Sequence, residues 1–278
     1  MKLPFSCTLR PIGIVRIALG VLFAMTCVVN SAHALPAGLV ASYSANGNAS
    51  DGAGTNDGTF TGTYVPGVTG QAFDVAPSTQ FTAPDTGLPT GHAARTVSCW
   101  LDIQSDPASL QGVHIGYGDA SVESYFLIGY FNYAYGSYAA NQVFLDVNGW
   151  SFGGSVLSLN QWYYVAVTYN GAGSYAMYVN GTLVNSVAGP ALTTVTSAGG
   201  ATVAEGAGFS ASTGNAYVDN LRVYNSALNT SQIGVDYTTT TLPEPFGLLP
   251  GLGVLLALFA RRRAGTASAV QTSSNPST

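Results

Sequence analysis

The feature of this sequence that most limits its possible folds is a succession of short strand-like segments between Gly38 and Tyr237. Loops rich in Gly, Ser, Asn and Pro separate the segments, and no helical period persists beyond a turn or two. In one segment alternate residues are apolar and would line one face of a sheet: Val97, Cys99, Leu101 and Ile103. Many short strands joined by turns are typical of a two-layer structure. We therefore predict an all-β fold, a two-sheet antiparallel jelly-roll sandwich.

The segments predicted to form strands share β-branched and aromatic residues bounded by turn residues: Leu39–Ser44, Thr96–Ile103, Tyr125–Tyr130, Val143–Val147, Trp162–Thr168, Tyr175–Val179, Leu183–Val187 and Ala216–Tyr224. Between the segments Tyr175–Val179 and Leu183–Val187, Asn180-Gly181 suits the two positive-φ positions of a type I′ hairpin turn. The one helix predicted within the middle domain starts at Asn229, which has the spacing of a capping box with Gln232.

Charge is scarce and uneven along the chain. Only 8% of the 278 residues are charged, and between Leu35 and Pro245 two arginines face 13 carboxylates, a formal charge of −11. Such a surface repels phosphate backbones, which argues against a nucleic-acid partner. The same excess also serves simple solubility. Cys99 is the only cysteine in this part of the chain, so we predict no intrachain disulfide and a buried thiol.

The first 34 residues have the three parts of a secretory signal peptide. Basic residues come first, an apolar run spans Ile17–Val29, and Ala32-His33-Ala34 supplies the small residues that signal peptidase reads. Cleavage after Ala34 is predicted. The alternative, an uncleaved membrane anchor, needs a longer apolar run.

The other end carries a second targeting pattern within residues 242–263. Pro243-Glu244-Pro245 precedes an apolar stretch, Phe246–Ala260, and Arg261–Arg263 follow at once. This order resembles the PEP-CTERM sorting signal of Gram-negative bacteria, which implies a transmembrane helix over 246–260 and processing by an exosortase at Pro243, Glu244 and Pro245. A polar tail, residues 264–278, follows the arginines, whereas such signals usually end near them. The alternative is a plain C-terminal anchor.

Five stretches of the middle domain, residues 35–241, carry a recognisable pattern: Asn56–Thr59, Gly67–Val75, Trp162–Tyr169, Tyr178–Val184 and Tyr217–Leu228. In these stretches and in their order, the domain resembles LamG-like jelly-roll domains of the concanavalin A-like lectin/glucanase superfamily. This resemblance implies the same sandwich fold, and recognition or adhesion rather than a particular reaction.

Catalytic patterns are missing from the sequence. A glycoside hydrolase needs two carboxylates flanking the scissile bond, but Asp102 and Asp146 each stand alone in their strands, and Glu123 and Glu205 are in no E-x-D-x-x-E pattern. No nucleophile, zinc or P-loop motif occurs either. We therefore predict that the protein is not an enzyme, with a glucanase-type hydrolase as the least favoured alternative.

A crowded run of aromatic residues suggests a binding surface. Tyr130, Tyr133, Tyr135 and Trp150 are the candidates, because aromatic faces stack on sugar C–H surfaces while hydroxyl groups form hydrogen bonds. The alternative is that these rings only pack a sheet. The sequence thus favours an exported recognition or adhesion protein that binds surface or matrix polysaccharide. It would be anchored in the inner membrane as a precursor and then placed at the cell surface or outside the cell. A structural surface protein without a ligand is the alternative.

The resemblance also implies one structural Ca²⁺, with Asp219, Asp51 and Asn56 as candidate ligands. Calcium takes six to eight oxygen ligands, many of them backbone carbonyls, so no short motif is expected. In the alternative, Asp219 pairs with Arg222 or caps a turn.

Overall fold

The structure is a computed structural model that describes residues 34–77, 79–105, 112–119, 121, 123–195, 201–203 and 214–241. The predicted signal peptide up to residue 33, the Pro243-Glu244-Pro245 motif, the apolar segment 246–260 and the polar tail lie outside these residues. Within the described ranges, no helix combines the length and apolar character that crossing a membrane requires.

Fifteen strands and one helix make up the described domain. In chain order they are β1 (Leu39–Tyr43), β2 (Thr59–Phe60), β3 (Thr63–Pro66), β4 (Gln71–Val75), β5 (Phe81–Ala83), β6 (Arg95–Ser105), β7 (Ile115–Tyr117), β8 (Phe126–Tyr130), β9 (Gln142–Asp146), β10 (Ser151–Val156), β11 (Trp162–Tyr169), β12 (Ser174–Val179), β13 (Thr182–Ala188), β14 (Ala201–Val203), β15 (Asn215–Tyr224) and α1 (Thr230–Thr241).

The strands form two antiparallel sheets. Sheet A has eight strands in the order β13-β12-β11-β6-β15-β4-β3, with β1 also pairing with β15. Sheet B has seven, in the order β10-β9-β8-β7-β14-β5-β2. Neighbours in space are often distant in sequence, as where β6 lies between β11 and β15. The predicted all-β, two-sheet antiparallel sandwich is confirmed.

Local signals in the sequence produce two of the predicted features. Asn180 and Gly181 have φ angles of 49° and 76°, as the turn between β12 and β13 requires, because these residue types tolerate the left-handed region. At the start of α1, the Gln232 N–H donates to Asn229 Oδ1 and the Asn229 N–H donates to Gln232 Oε1, each at 3.0 Å. The predicted hairpin turn and capping box are therefore confirmed.

The main core lies between the sheets. On β6 the four alternating residues Val97, Cys99, Leu101 and Ile103 are all buried in it, as predicted. Sheet B contributes the residues that alternate inward on β8 and β9. Burial raises the pKa of the Cys99 thiol well above its usual range, which keeps this thiol protonated.

Helix α1 covers part of the outer face of sheet A. A second apolar cluster lies between the helix and the sheet, with Ile233 contributed by α1 itself: Trp100, Tyr164, Ala166, Tyr178, Tyr224, Leu228 and Ile233. Trp162 packs against the margin of this cluster and is only partly buried. The outer face of sheet A is therefore covered where α1 lies on it.

A buried carboxylate joins α1 to sheet A. Asp236 Oδ1 accepts hydrogen bonds from Arg222 Nη1 and from the Tyr224 hydroxyl, both at 2.6 Å. Asp236 Oδ2 accepts from the hydroxyls of Ser98 and Tyr164, both at 2.7 Å. Four donors thus satisfy a carboxylate that is fully buried, which is the condition for a charge to be tolerated there.

Candidate functional site

The loop between β8 and β9, residues 131–141, is a hydrogen-bonded extension of that hairpin. The Phe131 N–H donates to Gln142 O at 3.1 Å, and the Asn141 N–H donates to Phe131 O at 2.6 Å. Nearer the tip, Tyr135 and Tyr138 exchange two backbone hydrogen bonds of 2.9 Å around Gly136, whose φ is +58°. The loop is therefore held in one conformation by its own backbone, which reduces the entropy lost on binding a ligand.

Four rings on and beside this loop form what we call the sheet B aromatic cluster: Phe131, Tyr135, Tyr138 and Phe144. Phe131 stacks on Phe144 with 4.3 Å between ring centroids, on Tyr138 with 4.5 Å, and on Tyr135 with 6.1 Å. Phe144 alternates along β9 with Val143 and Leu145, which face the core. The cluster therefore lies on the outer face of sheet B.

The loop also presents aromatic rings to solvent. Tyr133 is 44% exposed and Tyr135 is 55% exposed. Tyr138 is half-buried over Gly153, and its hydroxyl lies 2.9 Å from Ser151 Oγ. Exposed faces of this kind stack on apolar or C–H surfaces, and their hydroxyls reach polar groups of a ligand.

The structure does not bring the four predicted ligand residues together. Tyr130 is 0% exposed and belongs to the main core, so its ring does not face a ligand. Trp150 lies in the β9–β10 turn, at the other end of β9, where it packs against Phe152 and Tyr175. Of the four candidates, Tyr133 and Tyr135 are the two that lie exposed on the same loop.

Two titratable groups lie beside the cluster on the same face. The His114 ring meets Phe144 edge-on with 5.9 Å between centroids. Burial raises the pKa of Asp146, while a hydrogen bond of 2.7 Å from the Asn148 N–H and the nearby His114 act against that rise. Sequence reasoning missed Phe131, Phe144 and His114 as neighbours of the exposed tyrosines. For Phe144 and His114, alternation with core residues was the available signal.

The predicted calcium ligands have different surroundings. In the early loop, Asp51 Oδ1 accepts from the N–H groups of Ser42 and Ala53, both at 2.9 Å, and Oδ2 accepts from the Asn56 N–H at 3.2 Å. The structure therefore places two of the three predicted calcium ligands, Asp51 and Asn56, next to each other. The hydrogen bonds mark Asp51 as the organiser of a tight turn.

Asp219 makes its contacts elsewhere. Its Oδ2 accepts from the N–H groups of Val68 and Thr69 at 2.9 and 3.1 Å, and its Oδ1 accepts from Asn220 Nδ2 at 2.8 Å. No hydrogen bond joins it to Asp51 or Asn56. Across the described residues no group of three or more His, Cys, Asp or Glu side chains is arranged to hold a metal. Protein donors thus surround the Asp219 carboxylate, and calcium binding by these residues stays a prediction.

Comparison with known families identifies the class of protein. The model of a family described as belonging to the Concanavalin A-like lectin/glucanases superfamily matches residues 75–234, more than half of the chain. This protein therefore belongs to that superfamily. No curated protein matches the chain.

Solved structures share the fold. Domain 4 of AbnA, a GH43 extracellular arabinanase from Geobacillus stearothermophilus, solved in complex with arabinotriose, is 22% identical with a TM-score of 0.55. The match covers 72% of this chain and 98% of that one. A structure of botulinum neurotoxin type C, described by its interaction with two ganglioside molecules, is 15% identical with a TM-score of 0.58 and coverages of 74% and 52%. The binding domain of Paraclostridial Mosquitocidal Protein 1 is 14% identical with a TM-score of 0.58 and coverages of 72% and 52%. This chain spans about half the length of the last two.

Proposed function

We propose that this protein is an exported, non-catalytic recognition protein that binds carbohydrate through Tyr133 and the sheet B aromatic cluster. The observation that carries the proposal is the exposure of two tyrosine rings, Tyr133 and Tyr135, on a loop fixed by its own hydrogen bonds. A rigid aromatic surface binds with little loss of conformational entropy. The rest of the cluster supports Tyr135 from below.

The cell-surface part of the proposal rests on the two ends of the chain. The signal peptide pattern directs export, and the PEP-CTERM-like tail directs retention and processing by an exosortase. A recognition protein delivered in this way meets polysaccharide at the cell surface or in the surrounding matrix. Two proteins with this fold supply the first probes, since one is described with arabinotriose and another with gangliosides.

The test is a glycan array that includes arabino-oligosaccharides and ganglioside glycans, probed with the purified protein. The Tyr133→Ala, Tyr135→Ala double variant should lose roughly tenfold in affinity for any glycan that binds, about 1.4 kcal/mol. Leu183→Ala is the control, because Leu183 is 47% exposed but lies on β13 in the other sheet. Its affinity should equal that of the wild type.

Two results would contradict the proposal. If no glycan on the array binds, a structural surface protein without a ligand is favoured. If the double variant binds a glycan as tightly as the wild type, the binding site does not include Tyr133 and Tyr135. Release of reducing ends from a bound polysaccharide would show that the protein is an enzyme.

A further inference from the structure

A second group of residues lies on the opposite side of the sandwich, on the outer face of sheet A. Two residues along the strands from Tyr164 and Trp100, three residues are partners in register: Trp162 on β11, Asp102 on β6 and Tyr217 on β15. We call these three residues the outer row. They share one face because each alternates with residues that point into the core.

The two rings lean over the carboxylate between them. Strands two apart in a sheet are separated by about 10 Å, yet the ring centroids of Trp162 and Tyr217 are only 6.4 Å apart. Both rings are partly exposed, whereas Asp102 is 6% exposed. Asp102 Oδ1 is out of contact with solvent and has no hydrogen-bond partner within the described structure. A buried acceptor left in this way costs free energy until a donor reaches it.

Neither arginine in the described part of the chain is available to Asp102. Arg95 and Arg222 are the only Lys or Arg residues in the described part of the chain. Arg222 Nη1 binds Asp236 at 2.6 Å, and Arg95 donates to the carbonyl oxygens of Gly91 and Ala93 at 2.7 and 3.0 Å. Gln104 and the Gln161 backbone hydrogen-bond to the Asp102 carboxylate, but Oδ1 has no partner among the described residues and is left open to a donor from a ligand.

We propose that the outer row binds a protonated primary amine. An ammonium group supplies both a positive charge and N–H donors for Asp102 Oδ1. It is also attracted to aromatic faces within about 6 Å of their centroids, and because the two centroids are 6.4 Å apart one cation reaches both rings. Rotation of the half-buried Tyr217 side chain opens the way to the carboxylate. The site needs none of the residues of the sheet B aromatic cluster.

The experiment is a calorimetric titration of the purified protein with three probes: a glucosamine trimer, the same trimer fully N-acetylated, and cadaverine. The acetylated trimer keeps the sugar rings and removes the charge. Binding of either amine, with no binding of the acetylated trimer, supports the proposal. The amine that binds more tightly shows whether its source is an amino sugar or an alkylamine.

Variants test the residues. Asp102→Asn should weaken amine binding about tenfold or more. It should melt no lower than the wild type, because it removes a buried charge that has no ion-pair partner and its amide oxygen can still accept a hydrogen bond. Tyr217→Ala should also weaken binding, and Tyr217→Phe should not, since the ring is retained. The Tyr133→Ala, Tyr135→Ala variant should bind amines normally, which separates this site from the proposed carbohydrate site. Failure of both amines to bind, equal binding of the acetylated trimer, or full affinity in Asp102→Asn would each overturn the proposal.

Discussion

Removal of the Asp236 carboxylate should detach helix α1 from sheet A and destabilise the whole domain. In Asp236→Ala, the buried Arg222 guanidinium loses its only ion-pair partner in the described structure. The hydroxyls of Ser98, Tyr164 and Tyr224 lose the acceptor that they share.

The size of the loss follows from these contacts. Breaking a buried ion pair by removing one partner costs about 3–5 kcal/mol, because the other charge stays buried and unpaired. The three hydroxyl donors place Asp236→Ala toward the upper end of that range, although losses within one network are not additive. For a domain of this size the loss corresponds to a fall in melting temperature of roughly 6–20 °C.

Urea denaturation followed by circular dichroism measures the free energy of unfolding, and calorimetry measures the melting temperature. Ser231→Ala is the control, because Ser231 lies on the exposed side of the same helix. The Arg222→Met, Asp236→Ala double variant should be at least as stable as Asp236→Ala, since it also removes the unpaired charge. A melting temperature of Asp236→Ala within about 2 °C of the wild type would refute the reasoning.

Four further predictions concern titration, metal and processing. Burial raises the pKa of Asp219 from 3.8 to about 6, so its contribution to stability is complete below about pH 4 and is lost as the pH rises past 6, a change of about 3 kcal/mol. Asp219→Asn should lack this pH dependence in urea denaturation; an unchanged slope would contradict it. Calcium that binds the folded protein should give a higher melting temperature in the presence of calcium than in the presence of chelator. Equal melting temperatures, together with purified protein that carries no metal, would contradict the prediction of a calcium site. N-terminal sequencing of the exported protein should find Leu35 as the first residue, whereas an intact Met1 would show an uncleaved anchor. A host without exosortase should retain the protein in the inner membrane, and identical fractionation with and without the enzyme would leave only a plain anchor.

The fold was predictable because its signals are local. Alternation on β6 indicates which side chains face the core. The turn between β12 and β13 requires positive φ angles, which Asn180 and Gly181 are among the few residue types to tolerate. The helix start was predictable for the same reason, since both partners of the capping box lie within four residues.

The sites were harder to predict because they depend on contacts between distant residues. Tyr130 and Tyr133 are close in sequence, but the alternation of β8 sends Tyr130 into the core while Tyr133 lies on the loop. Asp102 meets Tyr217 only because β6 pairs with β15. Trp162 would be expected in the core on its type alone, and it lies at the margin of the helix-covered cluster instead.

The position of Cys99 makes its thiol a native probe of how often the domain unfolds. Its thiol lies at the centre of sheet A, fully buried and with its pKa raised by that burial. Because Cys7 and Cys27 belong to the predicted signal peptide, the mature protein would carry no other thiol. A thiolate-directed reagent should therefore label the native protein only when β6 is exposed. Labelling rates in excess reagent would then report how often the sandwich opens, without any engineered probe.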